Sequence, residues 1–123
     1  MMRKILFVAL ALLPLTSFAD HMDVIQFELK DGCSMEKYLQ IKNDFNQQWG
    51  KNNGYQAEVI MPIQSHDLET LFWVGRSANA AAFGKAWDTW RDELNDPDSI
   101  AGKLAARFSE CSMNVSRRSY DVY

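Results

Sequence analysis

The chain has 123 residues, of which 47% are hydrophobic and 24% charged, and its formal net charge is −3. That length suffices for one domain with one core and leaves no room for a second. An acidic balance gains nothing from a phosphate backbone or an anionic lipid surface, which removes nucleic acid and membrane from the expected partners.

The chain opens on Met1-Met2-Arg3-Lys4, runs uncharged from Ile5 to Leu13, is broken by Pro14 and reaches Ser17-Phe18-Ala19. A basic start, an apolar stretch and a small-x-small site are the marks of a cleavable signal peptide. The apolar run is shorter than the roughly 20 residues a membrane span needs. Residues 1–19 are therefore expected to be a signal peptide, cut after Ala19, that delivers residues 20–123 to the periplasm or beyond as a single α+β domain. No lipobox cysteine stands at the cut. Loss of Arg3 and Lys4 would leave a formal charge of −5.

Residues 24–30 alternate strictly, with Ile25, Phe27 and Leu29 on one face and Gln26, Glu28 and Lys30 on the other. That period predicts a half-buried strand, ended by Asp31-Gly32. Ser34 is a good helix cap. Met35, Tyr38, Leu39, Ile41, Phe45 and Trp49 then recur at helical spacing, and Gly50 to Gly54 close the segment. Residues 55–63 predict a second strand with Tyr55, Ala57, Val59, Met61 and Ile63 on one face, and Pro62 marks its end or a sheet edge. A polar connection holding His66 leads to residues 70–76, apolar on both faces as a central strand should be. Ser77 and Asn79 are alternative caps for a helix carrying Phe83, Trp87, Trp90 and Leu94. Asn95 to Asp98 interrupt it, and Asp98 or Ser99 caps a further segment with Ile100, Leu104 and Phe108 on one stripe. Residues 113–123 are expected to form the last strand.

Strand, helix, strand, strand, interrupted helix, strand is the order of a ferredoxin-like βαββαβ fold: a four-stranded antiparallel sheet with helices on one face. Strands 1 and 3 are expected as a central, parallel pair, with strand 4 antiparallel to strand 1. Cys33 follows strand 1 and Cys111 precedes strand 4, so this topology brings them together. Their Cα atoms could then lie within the roughly 4.4–6.8 Å that a disulfide spans. An exported chain with two cysteines fits such a bridge. The other sheet face stays open, and a two-fold homodimer, sheet against sheet, would cover it.

The segment Phe72-Trp73-Val74-Gly75-Arg76-Ser77 and the aromatic helix Phe83…Trp87…Trp90, set in this element order, resemble the dimeric α/β-barrel superfamily, and within it the antibiotic-biosynthesis-monooxygenase-like group. The resemblance implies a ferredoxin-like protomer, a sheet-to-sheet dimer and a pocket between sheet and helices. Members include cofactor-independent oxygenases, haem-degrading enzymes and small isomerases. Oxygenases of the group often use an Asn on the first strand and a Trp on the third. Trp73 matches the Trp, but the first strand has no Asn. Residues 80–94 hold no histidine to match that of the haem-degrading members.

The pocket residues expected from this pattern are Tyr38, Trp73, Phe83 and Trp87. Trp49 and Trp90 belong to the same aromatic set, which also reads simply as core. His21 is expected to be mobile at the new N-terminus and His66 solvated in its loop. Neither makes a metal site, which needs three or four converging ligands. Gln26, Glu28 and Arg118 fall on the open sheet face, and Asp92 and Glu93 read as solvated. No cofactor is implied. Two functions compete: binding of a small apolar or aromatic molecule, or service as an interaction module, against a cofactor-independent monooxygenase or isomerase acting on an aromatic or quinone-like substrate.

Overall fold

The computed structural model describes residues 20–123. The expected signal peptide lies outside the described residues. The elements are β1 (Asp20–Leu29), α1 (Met35–Gln48), a 3-10 turn (Gly50–Asn52), β2 (Gln56–Ile60), β3 (Leu71–Ser77), α2 (Ala80–Glu93), α3 (Ile100–Cys111) and β4 (Ser112–Val122). The sheet order is β2-β3-β1-β4, with every neighbouring pair antiparallel.

The expected parallel pairing of strands 1 and 3 is therefore wrong. A crossover through α1 makes β1 and β2 the parallel strands, and the connection over residues 61–70 reverses β3. β3 then inserts between them and meets β1 antiparallel. The pairing of β4 with β1 is as the element order implied.

Each helix starts where a short polar side chain can accept a free backbone N–H. Ser34 accepts from Lys37 N at 3.1 Å, Asn79 from Ala82 N at 2.8 Å and Ser99 from Gly102 N at 2.9 Å. Asn79 and Ser99 are thus the caps, rather than Ser77 and Asp98.

The expected second strand, 55–63, shrinks to Gln56–Ile60. Pro62 cannot donate to a ladder, and Met61 and Ile63 lie exposed beyond the last paired residue.

Odd-numbered residues of β1 and β3 face the helices. Phe27, Ala57 and Trp73 are buried there against Tyr38, Ile41 and Phe45 of α1 and Leu104 of α3. On the other face Val24, Val74 and Glu58 share one row, and Gln26, Phe72 and Ile60 the next. Among the described residues no helix covers that face, and Ile60, Met113 and Tyr120 remain exposed on it.

Cys33 and Cys111 form a disulfide across the β1–β4 junction, 78 residues apart in sequence, with Cα atoms 5.1 Å apart. Lys30 N donates to Cys111 O at 2.9 Å beside it, so the backbone closes the same joint.

Candidate functional site

Between the sheet and the helical layer lies a cavity of about 250 Å³ that opens to solvent. Its floor is Ile25 of β1 and Trp73 of β3. Its walls are Tyr38 and Phe45 of α1, Phe83, Trp87 and Trp90 of α2, and Phe108 of α3. Phe45 is the hub, with ring centroids 5.1 Å from Trp73, 5.6 Å from Tyr55 and 5.6 Å from Trp90, all edge-on. Edge-to-face packing of this kind fixes ring planes and leaves flat apolar walls.

Tyr38, Trp73, Phe83 and Trp87, named from sequence, all line this one cavity. Trp49 and Trp90 line it too, so all four tryptophans of the chain meet there. The Trp49 indole donates to Glu93 Oε2 at 2.9 Å. Glu93 is thus engaged rather than simply solvated.

Under the floor runs a polar chain that the sequence pattern did not suggest. The Trp73 indole N–H donates to Tyr55 Oη at 2.8 Å, and the Tyr55 hydroxyl donates to Asp23 Oδ2 at 3.1 Å. Arg117 then grips the same carboxylate with Nε to Oδ1 at 2.9 Å and Nη2 to Oδ2 at 2.6 Å. Asp23 is fully buried, so these bonds replace the water it has lost. Burial works against the Arg117 charge, but the hydrogen bonds and negative charge of Asp23 outweigh it and raise its pKa. Burial, reinforced by Asp23, pushes the Tyr55 phenol far above its ordinary range, and burial alone does the same for Tyr38. The Arg117 guanidinium also lies over the Trp87 ring, 4.0 Å from its centroid, a cation–π arrangement.

Gly75 makes room for this chain. A side chain there would run into the Tyr55 ring and hydroxyl, which lie across β3 at that point.

Asp23 could have been found from sequence, because it shares the parity of Ile25 and Phe27 and so puts a carboxylate on the core face. Arg117 could not. The β1–β4 register shifts between Gln26 and Phe27: Gln26 pairs with Ser116, Phe27 with Asn114. Val115 is the extra residue of this bulge. The bulge brings both Asn114 and Arg117 to the helix side, although residues three apart on a regular strand point to opposite faces.

His21 is not mobile. It lies on β1, is buried, stacks on Phe83 with centroids 4.5 Å apart and has Nδ1 3.3 Å from Asp121 Oδ1. The strand begins four residues earlier than the alternating pattern suggested, which draws it into the sheet. His66 stays exposed in the β2–β3 connection.

No family model and no curated protein matches the sequence. Solved structures do match its shape. SnoaB, a cofactor-independent oxygenase from Streptomyces nogalater, aligns with a TM-score of 0.55 at 8% identity over 85% of this chain and 94% of its own. PA3566 from Pseudomonas aeruginosa gives 0.54 at 10% identity, over 87% and 97%. A hydroxynitrile lyase from Passiflora edulis gives 0.51 at 16% identity, over 85% and 94%. The chain has the ferredoxin-like fold. SnoaB shares that fold, in keeping with the resemblance read from the sequence. At these identities the likeness is one of fold, and fold does not carry activity.

Proposed function

We propose that the chain is an exported binding protein for a compact aromatic molecule, held between the sheet and the helical layer. The observation that carries this reading is the cavity of about 250 Å³ with aromatic walls on three helices and the sheet. An apolar cavity of about 150 Å³ accepts benzene, so this one has room for a substituted single ring. Apolar walls with a few placed polar groups are the usual make-up of a small-molecule site.

Export rests on the pattern of residues 1–19 and agrees with the Cys33–Cys111 bridge. N-terminal sequencing of secreted protein should begin at Asp20. Pairing of two copies through the uncovered sheet face would bury Ile60, Met113 and Tyr120. Light scattering on the eluting protein should then give twice the mass of the processed chain, and a monomer at high concentration would remove this element.

The second reading is a cofactor-independent oxygenase or isomerase. It is favoured by the fold shared with SnoaB and by Trp73 in the cavity floor. Binding fits the geometry better. The groups that meet the cavity are aromatic rings, hydroxyls, an amide and a guanidinium, which bind and orient. Proton abstraction would have to run through Asp23, whose oxygens Arg117 and Tyr55 already occupy.

Tryptophan emission tests both. Single-ring aromatics such as phenol should quench or shift it saturably, with no dioxygen consumed. Dioxygen uptake with a hydroquinone would favour the oxygenase, and unaltered emission across the panel would remove the binding role.

A further inference from the structure

We propose that the cavity selects ligands carrying a carboxylate, or an oxyanion of similar shape, and that Arg117 and Asn114 form the corner that receives it. This rests on the cavity being a ligand site.

The Asp23–Arg117 pair is polarised with respect to the cavity. Asp23 is fully buried beneath the floor, whereas Arg117 lines the cavity and keeps about a third of its side chain accessible. The negative end points into the protein and the positive end into the cavity. An anion there meets the guanidinium first and the carboxylate from farther away, and Coulomb attraction falls with distance. Tyr55 donates to the same carboxylate and so shares in neutralising it.

The guanidinium is also presented in a fixed pose. One edge, Nε and Nη2, is taken by Asp23, and one face is packed on Trp87. Nη1 carries two further donors. A planar fork held on an edge and a face is pre-organised, so little freedom is lost when it grips an oxyanion.

The bulge in β4 supplies the second arm. Without it Asn114 and Arg117 would sit on opposite faces of the strand. With it both line the cavity, in neighbouring rows opposite Phe27 and Ile25. Bulges are a common means of re-aiming one side chain next to a site. The Asn114 amide adds a neutral donor beside the cationic fork, and the aromatic walls take the ring of the same ligand. The ligand class is thus an aromatic acid small enough for a single ring and a short carboxylate arm.

Calorimetric titration with phenylacetate and with phenylacetamide at neutral pH tests this, because the two differ little in shape. The acid should bind at least about tenfold more tightly, equivalent to about 1.4 kcal/mol. Asn114→Leu should weaken the acid severalfold. The double variant Asp23→Asn with Arg117→Gln removes both charges together and leaves no uncompensated buried ion. It should bind acid and amide alike. Equal affinities in the unmodified protein would overturn the inference while the cavity remains a binding site. A preference that survives the double variant would overturn it too, by placing the anion elsewhere. Failure of both probes to bind would remove the binding role and this inference with it.

Discussion

A methyl group on Gly75 would fall where the Tyr55 ring now lies. Tyr55 would have to swing away and give up its bonds to Trp73 and Asp23. Overpacking of this kind costs about 1–3 kcal/mol. Gly75→Ala should therefore lower the unfolding free energy by that margin, seen as a lower urea midpoint, and move the Trp73 emission. An unchanged midpoint would mean that Tyr55 does not cross β3 there. The buried phenols give a second test at this scale. Tyr38 and Tyr55 have folded pKa values raised by burial, with Asp23 adding to the effect at Tyr55, while unfolded tyrosine ionises near about pH 10. A raised folded pKa gives stability that is complete below the unfolded value and is lost as pH climbs beyond it. Phenolate absorbance and circular dichroism followed together above pH 10 should show two of the four tyrosines ionising only as the fold is lost. Free titration of all four in folded protein would contradict their burial.

The disulfide acts at the level of elements, tying the exit of β1 to the entry of β4. The bridge closes a loop of 78 residues' separation, for which the chain-entropy account gives a contribution on the order of 3–5 kcal/mol. Cys33→Ser with Cys111→Ser should lose stability of that order in denaturant melts. A loss well below 1 kcal/mol would mean the Lys30–Cys111 backbone contact and the strand ladder hold the joint unaided. Most elements were legible in the sequence because their signals are local: alternation in β1, Ser34 and Gly50 around α1, the three aromatics along α2. What was not legible depended on pairing. The antiparallel run of β1 and β3, by contrast, follows from the element order, because the α1 crossover leaves β2 parallel to β1 and the connection after β2 reverses the chain. The bulge that turns Arg117 and Asn114 to the same side exists only in the register of β4 against β1. Arg117 and Asn114 were missed for that reason, and the aromatic half of the site was found because helical spacing alone places Phe83 and Trp87 on one stripe.

For the molecule as a whole, the helical layer meets one sheet face and encloses the cavity, and the other face presents Ile60, Met113 and Tyr120 to solvent. The two faces divide the proposed work, one holding a ligand and the other a second copy. The solved structures of the same shape show how widely this protomer is used, from an oxygenase to a lyase, so the decision falls to the cavity's own side chains. The most direct measurement is a nitrogen–proton correlation spectrum of the four indole N–H groups during titration with phenylacetate, since Trp49, Trp73, Trp87 and Trp90 all line the cavity. The indole peaks of Trp73, Trp87 and Trp90 should move together and saturate. Static indole peaks, with shifts confined to residues of the open sheet face, would contradict a ligand site between sheet and helices.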